Sequence, residues 1–257
     1  GGSGTSWTST LTLDGDETAG AAAFSCASFK DATGNVGVTD TSATSGSVTI
    51  DVTAPTMTIA SSTSGVSSGA TTNDATIALT FTSSETTTDL VAGDVTISAG
   101  TLSSFAGSGT SYTATFAPNG DAAYTISIAA NQFNDATGNA NSVSNTFTWT
   151  YDSTALTMTI ASSTSGVTSG VTTNDATIAL TFTSNEATTS LTDDDVTVSG
   201  GTLSSFAGSG TDYTATFTPN GDAAYTISIA ANTFTDAAGN SNTVSNSFVW
   251  TYDSTSP

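Results

Sequence analysis

Carboxylates and amides are the only side chains in this sequence that recur at a spacing fit for chemistry. Asp51, Glu85, Asp135 and Asn139 return 101 residues later as Asp152, Glu186, Asp236 and Asn240, while Asp74 and Asp121 return as Asp175 and Asp222. Histidine is absent, Cys26 is the single cysteine, and Lys+Arg number 1 against 22 Asp+Glu. Oxygen donors without imidazoles or paired thiols suit a hard cation such as Ca2+, which takes about six to eight oxygens from carboxylates, amides and loop carbonyls.

Other chemistry has little to work with. There is no histidine base and no Cys–His pair, so no enzyme is expected. The densest acidic run, Asp193-Asp194-Asp195, is a string of neighbours in a loop rather than the facing pair a glycosidase needs. A net charge of −21 leaves no basic surface to neutralise phosphates, which excludes nucleic acid as a partner. Cations in a salty or calcium-containing extracellular medium would screen that self-repulsion. No apolar run approaches the roughly 20 residues that cross a bilayer, so no membrane span is expected.

The acids recur because the whole chain does. Thr56-Met57-Thr58-Ile59-Ala60-Ser61-Ser62 returns as Thr157-Met158-Thr159-Ile160-Ala161-Ser162-Ser163, and Trp149-Thr150-Tyr151-Asp152 as Trp250-Thr251-Tyr252-Asp253. A weaker copy stands earlier, where Lys30-Asp31-Ala32-Thr33-Gly34-Asn35 matches Asn134-Asp135-Ala136-Thr137-Gly138-Asn139. This divides the chain into the later part of a repeat (1–53) and two full repeats (54–154 and 155–257). It is expected to be a window on a longer polypeptide whose first partners are neighbouring repeats.

Each unit reads as strands. Ile77, Leu79 and Phe81 alternate with Ala78, Thr80 and Thr82, and Tyr124, Ile126 and Ile128 with Thr125 and Ser127. Pro118-Asn119-Gly120-Asp121 and its copy at Pro219 signal tight hairpins. Strands are expected near 56–60, 75–83, 94–98, 101–106, 111–117, 123–130 and 144–151, about seven in about 100 residues, the proportions of a two-sheet sandwich. By the same alternation Cys26, with Phe24 and Ala22, is expected on an inward face, and Trp7, Trp149 and Trp250 in the core.

Strand direction then places the acids. With alternating strands, Asp74, Asp121 and Asp152 fall at the trailing pole of one repeat, facing Glu186, Asp236 and Asn240 at the leading pole of the next. The earlier joint sets Asp16 and Asp51 against Glu85, Asp135 and Asn139, while Asp175, Asp222 and Asp253 would face a further repeat. Asp-x-x-Gly-Asn also makes side-chain-to-backbone turn bonds, and both readings stay open. Ala155-Leu156 replaces Ala54-Pro55 at the second joint, which would leave it less rigid.

Phe-x-Asp-Ala-(Thr/Ala)-Gly-Asn, followed by a strand, an Asp linker and Ala-Pro-Thr, resembles the bacterial immunoglobulin-like (Big-type) repeats of large extracellular adhesins and surface proteins. The resemblance implies an all-β chain of tandem immunoglobulin-like β-sandwiches set end to end, at the cell surface, with calcium at the joints. The reading that follows is a structural spacer or shaft. Alternatives are a subunit of a polymeric filament, hair, sheath or surface layer built from copies of itself, and a module binding a glycan or cell surface. Thr-x-Thr strings such as Thr113-Ala114-Thr115 are what a solvated strand face prefers and do not by themselves indicate ice binding.

Overall fold

The computed structural model describes residues 2–3, 6–7, 9–10, 12, 18–27, 29–41 and 48–256. Asp16 and the side chain of Trp7 lie outside the described residues. Among these residues there is no α-helix; short strands and two 3-10 turns make up the regular structure.

The first repeat contributes four two-residue strands, β1 (Gly2–Ser3), β2 (Ser6–Trp7), β3 (Gly20–Ala21) and β4 (Thr49–Ile50), with β1 paired to β2 and β3 to β4. The second holds β5 (Met57–Ser61), β6 (Ala70–Thr72), β7 (Ile77–Thr87), β8 (Val95–Ile97), β9 (Thr101–Ala117), β10 (Ala122–Ile128) and β11 (Phe147–Tyr151). The third repeats them as β12 (Met158–Ser162), β13 (Thr172–Thr173), β14 (Ile178–Thr188), β15 (Val196–Val198), β16 (Thr202–Thr218), β17 (Ala223–Ile229) and β18 (Phe248–Tyr252).

Each full repeat is a sandwich of two sheets. One is β5-β7-β9, antiparallel; the other is β6-β11-β10-β8, in which β6 runs parallel to β11. The third repeat has the same order, β12-β14-β16 against β13-β18-β17-β15. Alternation drives this: Ile77, Leu79, Phe81, Tyr124, Ile126, Ile128 and Trp149 are all buried between the sheets, while threonines occupy the outer faces. Trp149 and Trp250 lie in the two cores, edge-on to Phe116 and Phe217.

Two strands differ from the sequence expectation. β6 has no signature in the sequence, being three residues without an apolar pattern. β9 is one 17-residue element that doubles back near Gly109: Ser103 Oγ donates to Thr115 O, and a Cβ on Gly107 would come within 2.3 Å of Ser111 O. The expected Pro-Asn-Gly-Asp hairpin is not one, because β9 and β10 belong to different sheets. The turn is a crossover held by Tyr124, whose hydroxyl accepts the Asn119 N–H at 3.1 Å and lies 2.6 Å from Gly120 O.

One further expectation is corrected. Cys26 is exposed, as is Phe24, where the described part of the first repeat has only two-residue strands in two-stranded sheets; Phe29, the counterpart of the buried Phe133, is exposed as well. At the second joint Leu156 is fully buried in the core and its carbonyl accepts the Thr243 N–H at 2.8 Å, as Pro55 O accepts the Ser142 N–H at 3.0 Å. Finally, Asn145 clasps the outer edge of β5, its Oδ1 accepting the Ile59 N–H at 2.7 Å and its Nδ2 donating to Ile59 O at 2.9 Å; Asn246 does the same to Ile160.

Candidate metal centre

Three local structures bring carboxylates to each joint. The first is a bulge: Thr82 pairs with Ser111 and Thr87 with Gly109, so Ser83, Ser84, Glu85 and Thr86 face only Thr110 and the extra chain is pushed out of the ladder. Glu85 rides on that bulge, and Glu186 on the same bulge between Thr183 and Thr188. Thr87 is anchored below it by its hydroxyl, 2.6 Å from the buried Tyr112 hydroxyl.

The second is the Asp-x-x-Gly-Asn loop. Asp135 Oδ1 accepts the Thr137 N–H (2.8 Å), the Thr137 hydroxyl (2.8 Å) and the Asn139 N–H (2.9 Å); Oδ2 accepts the Asn139 amide at 2.9 Å. Gly138 supplies the φ of +97° that closes the turn. An antiparallel bridge between Thr87 and Asp135 sets this loop beside the bulge, and Thr188 and Asp236 repeat it.

The third is the linker. Asp152 follows β11, and its N–H is held by Thr72 O at 3.2 Å. Asn240 then ties linker to loop, donating to both Asp152 O (3.1 Å) and Asp236 Oδ2 (3.0 Å), as Asn139 does to Asp51 O and Asp135 Oδ2.

The result is a carboxylate triad at each joint. One oxygen from each of Asp51, Glu85 and Asp135 lies within 4.8 Å of the other two, and Asp152, Glu186 and Asp236 form the same group. Asp135 and Asp236 are buried and the other four half-buried. Burial, and then the charges of Asp51 and Asp135, push the Glu85 carboxyl above its ordinary range; burial, then Asp152, Asp236 and Asp121, do so for Glu186. For Asp135 burial acts upward as well, but the bonds from Asn139 and Thr137 outweigh it and hold the group well below the usual carboxylate range. Each triad thus combines tightly held carboxylates with a glutamate crowded by like charge, an all-oxygen set that fits a divalent cation.

The structure brings together Asp51, Glu85, Asp135 and Asn139 at one joint and Asp152, Glu186, Asp236 and Asn240 at the other. Asp74 and Asp121 stand outside the triads. Asp74 accepts the Thr72 hydroxyl at 2.7 Å, and Asp121 braces the linker by accepting from Ser153 N (2.9 Å), Ser153 Oγ (2.7 Å) and Thr154 Oγ1 (3.0 Å). Asp193–Asp195 is a 3-10 turn in which Asp195 Oδ2 accepts the Thr192 N–H. The turn-bond and cation readings turn out to be compatible. Asp31 makes the same bonds with Thr33 and Asn35 in the first repeat, outside either triad, so the loop is built by hydrogen bonding and the triad is added where a linker meets it.

Several solved structures are similar to this chain at low identity. The crystal structure of invasin, a bacterial integrin-binding protein, matches with a TM-score of 0.41 and 12% identity over 85% of this chain, which spans 44% of that one. The Escherichia coli adhesin FdeC matches at 0.38 and 13% over 78% of this chain and 68% of that one. InvD of Yersinia pseudotuberculosis matches at 0.33 and 13% over 81% of this chain and 61% of its own. No curated protein sequence matches. The bacterial Ig-like domain profile matches residues 51–151 and again 152–252, one full period each, and the chain therefore belongs to the bacterial Ig-like domain family.

Proposed function

We propose that these repeats are a structural spacer, the shaft of an extracellular adhesin or cell-surface protein, with joints stiffened by Ca2+. The observation that carries this reading is the place of each triad: Asp152 directly follows β11 and its N–H is bonded to Thr72 O, whereas Glu186 rides on the β14 bulge and Asp236 on the loop bridged to it, so a cation held by all three would tie the segment after β11 to the following sandwich. Asp51, Glu85 and Asp135 would hold it at the first joint. Asn139 and Asn240 orient the acids and the linker carbonyl. The ion would supply the positive charge that the glutamates lack. Extracellular modules work at about 10⁻⁴–10⁻³ M calcium, which suits a half-buried site.

Small-angle scattering of the chain in calcium and then in chelator tests this. An extended particle that loses definition on chelation supports the stiffened shaft. An extended particle indifferent to calcium removes the metal, and a compact particle removes the shaft. Concentration-dependent growth into long particles would favour a filament subunit.

A further inference from the structure

The second joint carries a contact in which no carboxylate is a partner. Asn73, in the loop after β6, reaches the Asp236–Asn240 loop of the following repeat. Its N–H donates to Ala238 O at 3.1 Å, and its Nδ2 donates to Asn240 Oδ1 at 3.2 Å. The position of a Cβ on Gly239 is 3.5 Å from Asn73 Oδ1, so the two loops lie in contact.

The first joint serves as a comparison within the same molecule. Among the described residues the first joint shows no equivalent contact. There Gly138 has nothing within 4 Å of its Cβ position, Thr137 is exposed and Asn139 is half-buried. At the second joint the matching residues Ala238 and Asn240 are buried, at 7% and 9% exposure. Both joints have a triad, so the triad does not produce this burial.

The loop bearing Asn73 is fixed from behind. The Trp149 indole N–H, inside the core, donates to Thr72 Oγ1 at 3.1 Å, Thr72 Oγ1 donates to Asp74 Oδ2 at 2.7 Å, and Thr72 O holds the linker N–H of Asp152. Asn73 is therefore presented on a rigid mount while its own side-chain tip is committed to the next repeat. The third repeat has the same mount, Trp250 to Thr173 at 3.1 Å and Thr173 to Asp175 at 2.6 Å, beside Asn174.

We propose that Asn73 is a cation-independent latch that fixes the rotation of one repeat on the next by binding the Gly-Asn loop of its successor, and that Asn174 offers the same surface to a further repeat with an Asp-Ala-x-Gly-Asn loop. The latch rests on the shaft reading for its purpose but not for its chemistry. A triad alone draws two repeats together at one point and leaves them free to swivel; a second contact off that point removes the swivel.

The test uses the full chain carrying Cys26→Ser, with spin labels at Thr113→Cys and Thr214→Cys, both on outer strand faces. Electron-spin distance distributions are recorded in calcium and in chelator. In chelator, the parent is expected to give one narrow distribution and Asn73→Ala to lose it. Asn73→Asp, which sets an acceptor against Asn240 Oδ1, is expected to broaden it further. Asn174→Ala, the same change on the mount of the third repeat and away from the Asn73–Asn240 contact, is expected to match the parent. Circular dichroism melting checks that each variant is folded. A parent already broad in chelator, or an Asn73→Ala distribution equal to the parent's, overturns the latch. Calcium failing to narrow Asn73→Ala counts against the stiffened joint and leaves the latch standing.

Discussion

Glu186 places a carboxylate oxygen within 4.8 Å of one on Asp152, although Asp152 is tied by its N–H to Thr72 O and Glu186 rides on the bulge of β14, and the sequence holds a single lysine or arginine, Lys30, in its first repeat. The bulge in β14 and the Asn240 bonds to linker and loop impose that proximity. The joint is therefore held together against its own charge.

Neutralising that glutamate should have opposite effects with and without metal. A charge near a divalent ion is worth about 1–4 kcal/mol at this kind of partly solvated site. Glu186→Gln should thus weaken calcium binding by on the order of tenfold or more, measured calorimetrically, and raise the melting temperature in chelator. A variant that binds calcium as the parent does would remove Glu186 from the ligand set.

The pH dependence follows from the directions of the shifts. Glu85 and Glu186 have folded pKa values above their ordinary 4.5, so the stability linked to their protonation is present below 4.5 and is lost as pH rises through the folded values. Asp121, Asp135 and Asp222 have folded values below 3.8, so their contribution is present above 3.8 and lost as pH falls through the folded values. Metal-free chain should melt highest in mild acid and less high at neutrality, and saturating calcium should flatten that decline. Denaturation scans across pH, with and without chelator, check both halves.

Tyr225 should matter more than its position beside a surface turn suggests. Its hydroxyl accepts the Asn220 N–H at 3.1 Å and lies 2.6 Å from Gly221 O. Tyr225→Phe leaves these groups without their partner and should cost about 1–3 kcal/mol in urea unfolding. A loss within the noise would mean that water replaces the hydroxyl.

Leu156→Ala should unfold the third repeat selectively. The side chain is fully buried against that core, and truncation at such sites costs about 2–5 kcal/mol. Calorimetry should resolve one transition moved down and one left in place.

The period of the sequence made much of this legible. Once strand direction assigned the two poles, the recurrence of Asp152, Glu186 and Asp236 was enough to bring them to one joint. Asp74 and Asp121 obeyed the same polar logic and still stand apart, because Thr72 in one case and Ser153 and Thr154 in the other occupy their oxygens. Such local bonds have no signature at the level of pattern. Alternation places Cys26 and Phe24 inward and both are exposed, because alternation marks one face of a strand and says nothing of what covers it. The bulge that aims Glu85 and the reach of Asn73 depend on register between strands and between repeats, which spacing alone does not determine.

The clasp of Asn145 on β5 has a consequence for assembly on the ribosome and after. Adjacent modules of nearly the same sequence, held at high mutual concentration by a short tether, are prone to exchange strands with each other while folding. Asn145 takes the outward N–H and C=O of Ile59, in the middle of this edge strand, and so interrupts the row of groups a neighbouring strand would pair with. Placed at the same point of each copy, on Ile59 and on Ile160, the asparagine works against strand exchange between modules repeated in series.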